Sequence, residues 1–413
     1  MSEAPGPRPS PWLAVVGIGE DGPAGLGAAA RSLVEGAHLL VGDERVLATI
    51  PDDGRPRRPW PRPLKALFPE LAEHRGRPVC VLASGDPLWH GVGVLLTRHF
   101  APEELVVVPA PSAFALACAR LKWPRAAVEC LSLHNRPLET LALFLYPGAR
   151  LVALTADGTA AARAAALLAG RGWGPSRITV LARMGGPHES LVSATAETWV
   201  EDRTDDFNVL AIACIPGPGA VALPRVPGLP DEAFRTEGQI TKREVRAATL
   251  AALGPLPGQT LWDVGAGSGS IGIEWLRAAP RTRAVAVEPR ADRTALIAEN
   301  AAALGVPELR LVQGEAPAAL AGLEESAGRP DAVFVGGGLT APGLVEACWA
   351  ALPPGGRLVA NTVTLEGEHR LIEERTNRGG ELTRIAVARA APVGSFSGWR
   401  PLMPVTQWRV AKP

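Results

Sequence analysis

Two glycine-rich segments of this 413-residue sequence hold the residue types and spacings most suited to chemistry. In the second, Leu261–Gly269 reads LWDVGAGSG, so a hydrophobic run ends at Asp263 and glycines follow at alternate positions. Glycine lets the backbone approach a ligand closely, and a helix that begins directly afterwards presents free N–H groups. Glu288 ends the next hydrophobic run, where a carboxylate can accept both hydroxyls of a ribose. The segment therefore predicts a site for a nucleotide-type cofactor.

The glycine spacing alone leaves the class of cofactor open. The glycines at 267, 269 and 272 also satisfy the G-x-G-x-x-G pattern of nicotinamide and flavin dinucleotide sites, and a purely structural turn is a further alternative. An acidic residue two positions before the first glycine instead resembles class I S-adenosylmethionine (SAM) methyltransferases, which we favour. This resemblance implies SAM contacts from Thr241, Asp263, Gly265, Ala266, Gly267, Ser268, Gly269, Glu288 and Ala316.

The first glycine segment, GIGEDG at 17–22, is a weak signal by itself. It is followed by SGDP at 84–87, after a later hydrophobic run, and by VPAPS at 108–112, before a predicted helix. This set, in this order, resembles the tetrapyrrole methylases, the class III SAM methyltransferases, in which SAM lies folded between two α/β lobes. The resemblance implies a second SAM site at Gly17, Gly19, Asp86, Trp89, Ser112 and Ala113.

A proline- and glycine-rich break predicts the domain organisation. Ile215–Pro230 contains five prolines and three glycines, which indicates a semi-rigid linker or a long ordered connection. We expect a first module at 1–215, with lobes at about 1–110 and 111–215, a linker at 216–230 and a second module at 231–413.

Both halves alternate short β-branched runs with Ala/Leu-rich helical patterns, which is typical of α/β proteins. Clear strands are predicted at Leu105–Val108, Thr260–Val264 and Ala332–Val335, and the last predicted strand is Gly356–Asn361. We therefore expect a two-lobed tetrapyrrole methylase fold followed by a Rossmann-like, doubly wound sheet.

The whole chain resembles one family arrangement. Residues 12–214 are similar to precorrin C5-methyltransferase modules, and 229–410 to precorrin C15-methyltransferase and decarboxylase modules, with PDEAF at 230–234, ITKREVR at 240–246 and VGGG at 335–338. The fused order resembles the bifunctional CobL-type enzymes of cobalamin biosynthesis. It implies that precorrin-6B and two SAM give precorrin-8x, two S-adenosylhomocysteines and carbon dioxide. A cobalt-bearing substrate is the alternative within the family.

Charge and composition bear on the competing functions. Lys plus Arg and Asp plus Glu both number 42, so the formal net charge is zero, which argues against an extended nucleic-acid surface. An RNA or protein methyltransferase remains an alternative, although no Asn/Asp-Pro-Pro-Tyr-type motif is present. A SAM-binding sensor without activity is a third alternative. The intact acidic and glycine positions in both halves of the chain disfavour it.

The cysteines and the hydrophobic runs suggest where such a protein works. Five cysteines lie far apart without a CxxC pair, which predicts neither a disulfide framework nor a metal site. The N-terminus shows no signal-peptide pattern, and no apolar run approaches membrane-spanning length. We expect a cytoplasmic protein without membrane association. The family resemblance implies a homo-oligomer formed through the C-terminal module.

Methyl transfer from a sulfonium to an electron-rich carbon requires in-line positioning more than a strong base. Such positioning supplies up to about 7–11 kcal/mol in well-oriented systems. No Ser/His/Asp or Cys/His constellation suggests a catalytic triad, so no catalytic residue is assigned. A tetrapyrrole carries many carboxylates, which basic side chains would bind. Candidates for these substrate clamps, each with a solvated or structural role as the alternative, are Arg45, His134, Arg136, Lys242, Arg246 and Arg400.

Overall fold

The computed structural model describes residues 11–134 and 136–413. The chain folds into two compact units. The first comprises the described residues up to Leu138 together with Tyr146–Val221, and the second comprises Glu139–Leu145 together with Ala222–Pro413. The boundary between Val221 and Ala222 lies inside the proline-rich segment.

The first unit is built from short parallel and antiparallel strands with helices between them. Its strands are β1 (Leu13–Ile18), β2 (Leu39–Gly42), β3 (Arg57–Pro59), β4 (Val79–Ser84), β5 (Leu105–Val108), β6 (Glu129–Ser132), β7 (Arg150–Leu154), β8 (Arg177–Ala182), β9 (Ser190–Thr195) and β10 (Asn208–Ala213). Its helices are α1 (Ala28–Gly36), α2 (Glu44–Leu47), α3 (Leu67–Ala72), α4 (Gly93–His99), α5 (Ala113–Leu121) and α6 (Ala160–Gly170).

These strands form two sheets, one in each lobe. The first sheet is parallel in the order β3-β2-β4-β1-β5, and the second has the order β6-β7-β10-β8-β9 with β6 and β7 parallel and the other pairs antiparallel. Every residue of β1 is buried, as expected for a continuous hydrophobic strand covered on both faces of a parallel sheet. The carboxyl ends of β1, β4 and β5 meet at one edge.

The second unit follows the pattern expected of an open α/β sheet. Its strands are β11 (Thr260–Val264), β12 (Arg283–Glu288), β13 (Arg310–Gln313), β14 (Ala332–Val335), β15 (Arg357–Thr362), β16 (Glu381–Ile385), β17 (Ala388–Val393), β18 (Phe396–Pro401) and β19 (Val405–Ala411). Its helices are α7 (Arg243–Leu253), α8 (Ser270–Ala278), α9 (Ala291–Ala303), α10 (Leu323–Ala327), α11 (Leu344–Ala351) and α12 (Leu365–Arg378).

The described residues of the second unit form a seven-stranded sheet in the order β13-β12-β11-β14-β15-β19-β16. Strands β11 to β15 are parallel, and β19 runs antiparallel between β15 and β16. The strand order reverses between β11 and β14, and ligands of such sheets bind outside the carboxyl ends at this point. Buried clusters containing Trp275 on one face and Trp262 on the other fix the sheet between its helices.

The strands after Thr362 were not predicted from the sequence. The hairpin β17–β18 reads ARAAPV and FSGWRP, with alanine, proline and glycine in place of β-branched residues, so its strand propensity is low. Tertiary contacts rather than local preference determine this part of the fold. Among the described helices, none combines the length and apolarity needed to cross a membrane.

Candidate functional site

The glycine loop of the second unit joins β11 to α8 at the reversal of strand order. Gly265, Gly267 and Gly269 have φ values of +71°, +60° and +74°, which favour glycine strongly. A Cβ on Gly265 would lie 2.6 Å from the backbone nitrogen of Gly337, in the loop that follows β14. The two loops therefore pack backbone to backbone and leave no room for a side chain.

Asp263 lies beneath this loop and is fully buried. Its Oδ2 accepts a hydrogen bond from the Gly272 N–H at 2.8 Å, and its Oδ1 has no partner among the described residues. Burial raises the pKa of this carboxyl to about 7, the Gly272 hydrogen bond opposes the rise, and the nearby Glu288 carboxylate adds to it. Asp263 thus ties the end of β11 to the first turn of α8.

Glu288 ends β12 and is 3% exposed. Its Oε2 accepts a hydrogen bond from the Gly267 N–H at 2.9 Å, and its Oε1 accepts one from the Arg290 N–H at 3.3 Å. Two backbone donors therefore hold this carboxylate at the loop, in the place from which a ribose can be recognised.

A cavity of about 1260 Å³ opens above the loop. The predicted SAM-site residues that line it are Thr241, Gly265, Ala266, Gly267, Ser268, Glu288 and Ala316, whereas Asp263 and Gly269 do not line it. The cavity is completed by three further segments, in which the sequence had singled out VGGG at 335–338 and Arg400. These are 336–341, 361–364 and the parts of 387–405 that include Arg389 and Met403.

Of the predicted substrate clamps in this unit, Lys242 and Arg400 line the cavity. Arg246 was predicted wrongly, because its side chain is completely buried. Its Nε donates to Glu274 Oε1 at 2.6 Å, and Nη1 donates to Asp231 Oδ1 at 3.1 Å and to the Thr241 carbonyl at 2.5 Å. The guanidinium is a structural ion-pair partner, neither a clamp nor part of a solvated helix face.

The first unit places its glycine motif at the meeting point of three strands. A Cβ on Gly17 would lie 2.2 Å from the Gly85 carbonyl oxygen and 2.4 Å from the Ala110 nitrogen. The Ala110 N–H in turn donates to the Gly85 carbonyl at 3.3 Å. Nearby, Ser112 caps α5 by accepting a hydrogen bond from the Ala115 N–H at 3.2 Å, and Ala113 is the first residue of that helix. The ends of β1, β4 and β5 thus form a close-packed backbone cradle.

The other predicted SAM-site residues flank this cradle. Gly19 follows β1, where a Cβ would meet Asp21 Oδ1 at 2.5 Å. Asp86 follows β4 and accepts a hydrogen bond from the Leu88 N–H at 2.9 Å. The Trp89 ring is partly exposed, with the Arg125 guanidinium 4.5 Å from its centre. Trp89 also borders a smaller cavity of about 470 Å³.

The predicted substrate clamps of the first unit differ in whether their side chains already have partners in the protein. Arg45 is paired with Glu20 and lies 3.9 Å above the ring of Phe207, so it joins the first lobe to the second. Its pKa is lowered by burial and by Arg183. His134 and Arg136 are exposed after β6 and available to a ligand. Over residues 11–134 and 136–413, no group of three or more His, Cys, Asp or Glu side chains is arranged to hold a metal ion.

The buried Asp263 carboxyl predicts a pH dependence of stability. Its pKa is raised to about 7 from 3.8, so between these values the folded state binds more protons than the unfolded state. The free energy of unfolding of the ligand-free protein should therefore fall, by up to about 4 kcal/mol, as the pH rises from about 4 to about 8. Urea titrations at stepped pH measure this. Asp263→Asn should flatten the profile, and an unchanged slope in that variant would contradict the assignment.

Comparison with known proteins adds to this geometry. The model of the tetrapyrrole (corrin/porphyrin) methylases matches residues 13–199, and that of the precorrin methyltransferase domain matches 232–412. The precorrin-6Y C(5,15)-methyltransferase (decarboxylating) of a Sinorhizobium species is 47% identical over 405 residues, 98% of this chain and 97% of the relative. The chain belongs to the family of decarboxylating precorrin-6Y C(5,15)-methyltransferases.

Two further relatives extend the comparison. The precorrin-6Y C(5,15)-methyltransferase (decarboxylating) of Mycobacterium tuberculosis strain CDC 1551 is 43% identical over 404 residues, 97% of this chain and 100% of the relative. A probable cobalt-precorrin-6B C(15)-methyltransferase (decarboxylating) of Pyrobaculum calidifontis is 38% identical over 186 residues, 43% of this chain and 93% of the relative. The expected tetrapyrrole methylase and class I methyltransferase folds are confirmed, and the methyltransferase family implies SAM as donor.

Proposed function

We propose that the protein methylates precorrin-6Y, the substrate also called precorrin-6B, at C-5 and C-15 with SAM and decarboxylates its ring C acetate. The product is precorrin-8x in cobalamin biosynthesis. The observation that carries this proposal is similarity over 98% of the chain to a relative named for both methylations and for decarboxylation. Two separate glycine cradles, at Gly17 and at Gly265, agree with two methyl transfers.

We assign C-5 methylation to the first unit and C-15 methylation with decarboxylation to the second. In domain terms, we propose the modules 1–215 and 231–413, joined by 216–230. The structural units differ from these bounds, because Glu139–Leu145 and residues 222–230 belong to the second unit. The Pyrobaculum calidifontis relative supports this division, because it aligns with 43% of this chain and is named for the C-15 reaction alone. A segment of about 43% of this chain's length is therefore long enough to carry the C-15 methylation and the decarboxylation.

SAM, when bound, supplies an electrophilic methyl group on a sulfonium. In the second unit the backbone fit between Gly265 and Gly337 provides a cradle that a Cβ would fill, and Glu288 can accept ribose hydroxyls. In the first unit the equivalent cradle is formed by Gly17, Gly85 and Ala110. The donor therefore has two proposed sites, and the chain's main contribution at each is to hold the reacting carbon in line.

The substrate would be held through its carboxylates. No carboxylate of the described residues pairs with Lys242 or Arg400, so both of these cavity-lining side chains can pair with a ligand carboxylate. The decarboxylation has an electron sink in the conjugated macrocycle, which makes a dedicated base unnecessary. Arg45 already pairs with Glu20, whereas His134 and Arg136 are exposed, so we favour the latter two as substrate contacts in the first unit.

Location and assembly complete the proposal. All five cysteines are free, and all except Cys130 are buried. Free cysteines are common in proteins of a reducing compartment, so we propose the cytoplasm as the location. We also propose a homo-oligomer, on the basis of the family resemblance of the second module. Sedimentation velocity of the full-length protein tests this assembly.

The decisive experiment incubates the full-length protein with SAM and precorrin-6Y. We expect a product with two added methyl groups and one lost carbon dioxide, together with two S-adenosylhomocysteines, by mass spectrometry. Cobalt-precorrin-6B and bulk RNA serve as competing substrates. SAM turnover on RNA without turnover on either tetrapyrrole would overturn the proposed function, and turnover on the cobalt form alone would move it to the cobalt-bearing alternative.

A further inference from the structure

The hairpin β17–β18 borders the cavity mainly through one of its two faces. The strand register pairs Arg389 with Arg400, Ala391 with Gly398 and Val393 with Phe396. Directly opposed residues of an antiparallel pair share a face. Arg389, Ala391 and Arg400 line the cavity, so we call the face that these three pairs share the cavity-side face. Gly398, Val393 and Phe396 continue this face beyond the cavity lining, and Pro401, at the base of the other face, also borders the cavity.

The opposite face is distinguished by its exposure. It carries the remaining pairs, including Ala390 with Trp399, and each of its residues is exposed. On the cavity-side face Arg389, Ala391 and Gly398 are partly buried. Trp399 and Phe396 are exposed by 78% and 79%, so two aromatic side chains of equal exposure lie on opposite faces of one strand.

From base to tip, the cavity-side face changes from charged to small to hydrophobic. The arginine pair lies at the base, and Val393 and Phe396 form an exposed hydrophobic tip. Between them, Ala391 and Gly398 present a surface with no side chain larger than a methyl group. These two small residues form a shelf of one residue pair, which leaves room for the face of a ring system.

The two arginines at the base differ in their partners. Arg389 Nη2 contacts Glu244 Oε2 at 2.6 Å and Asp231 Oδ2 at 3.0 Å, which ties the hairpin to α7 and raises the pKa of the guanidinium. Arg400 has no carboxylate of the described residues within ion-pair distance. The hairpin is thus anchored by one arginine and offers the charge of the other.

The cavity is large enough for more than a SAM molecule. Pockets for drug-sized ligands measure about 300–1,000 Å³, whereas this one is about 1260 Å³. Its glycine-loop end, with Glu288, suits a nucleoside. The remaining volume lies beside the hairpin, where Arg400 adjoins the shelf of Ala391 and Gly398. An unpaired cation next to small residues suits a ring system with peripheral carboxylates.

We propose that the cavity-side face of this hairpin is the tetrapyrrole platform of the second unit. The macrocycle lies against the shelf of Ala391 and Gly398, Phe396 covers its outer edge, and Arg400 binds a peripheral carboxylate. Phe396, Gly398 and Arg400 are therefore specificity-determining residues for the C-15 reaction. This inference rests on the proposed function.

Steady-state kinetics of the full-length protein test the platform, with release of carbon dioxide from precorrin-6Y as the readout. We expect Phe396→Ala and Arg400→Ala each to raise KM for precorrin-6Y by about tenfold, a typical effect of losing one aromatic or charged contact. The turnover number and the affinity for SAM should change less than about twofold, because no hydrogen bond or ion pair among the described residues joins either side chain to the glycine loop. Trp399→Ala is the matched control and should leave KM unchanged.

The outcomes separate the two proposals. If the wild-type protein releases carbon dioxide from precorrin-6Y but KM is unchanged in both platform variants, the platform is wrong and the proposed function stands. Equal rises in KM for Phe396→Ala and Trp399→Ala, or a change of sedimenting mass in either, would instead make the hairpin an interface between copies of the chain. A wild-type protein inactive on this substrate overturns both proposals.

Discussion

In the Gly265→Ala variant, C-15 methylation and carbon dioxide release should be lost, and SAM binding should fall from the proposed two molecules per chain to one. The added Cβ would lie 2.6 Å from the Gly337 nitrogen and 2.7 Å from its Cα, and backbone atoms cannot rotate away. The φ of +71° adds roughly 1–2 kcal/mol of strain. One of the two loops must move, so the cradle no longer fits its ligand. Isothermal titration calorimetry measures the stoichiometry.

Two variants control this experiment. Gly17→Ala introduces a comparable clash in the first unit, with the Gly85 carbonyl oxygen at 2.2 Å, and should remove the other SAM molecule while carbon dioxide release persists. Gly258→Ala has a similar φ of +84° with no atom within 4 Å of the new Cβ, so it imposes strain without a clash. If Gly258→Ala lowered the stoichiometry as Gly265→Ala does, strain alone would explain the loss.

Replacing Arg246 by methionine should destabilise the second unit by about 3–5 kcal/mol, since removing one partner of a buried ion pair leaves the other charge uncompensated. Glu274 is 1% exposed and would keep only the N–H groups of Gly228 and Leu229, at 2.6 and 3.0 Å, as donors. The Thr241 carbonyl would lose its bond to Arg246 as well, which should also weaken SAM binding. Chemical denaturation followed by tryptophan fluorescence measures the loss.

The control for this change is Arg243→Ala, at an exposed position on the same helix, which should alter stability by less than about 0.5 kcal/mol. The double variant Arg246→Met/Glu274→Gln removes the buried negative charge too and should recover part of the stability. No recovery in the double variant would show that packing of the long Arg246 side chain, rather than the ion pair, is the larger contribution.

The sheet that positions the second site was largely predictable from the sequence. The predicted strands Thr260–Val264 and Ala332–Val335 have the bounds of β11 and β14, because buried parallel strands appear as uninterrupted hydrophobic runs between turns. The glycine loop was equally predictable, because three alternate positions with positive φ favour glycine, and alternate glycines are visible in the sequence. Local sequence therefore specified the centre of the fold and the loop above it.

Features that depend on distant partners were not predictable. Arg246 resembles a solvated arginine on an amphipathic helix, and only its pairing with Glu274, 28 residues later, accounts for its burial. The hairpin β17–β18 has weak strand propensity and is held at its base by Arg389 through carboxylates about 150 residues earlier in the chain. In both cases the deciding contact joins residues whose local patterns are unremarkable.

The proline-rich segment has a practical consequence for dissecting the two activities. Gly217 donates to the Gly172 carbonyl at 2.8 Å, which fastens the start of the segment to the first unit. From residue 223 onward, the carbonyls of Leu223 and Pro224 accept hydrogen bonds from Arg277, and Leu229 is buried in the second core. A protease should therefore cut near Val221, which is 66% exposed. A recombinant fragment that starts at 231 would lack the carbonyls of Leu223 and Pro224 that accept hydrogen bonds from Arg277 on α8, and it would lack the buried Leu229.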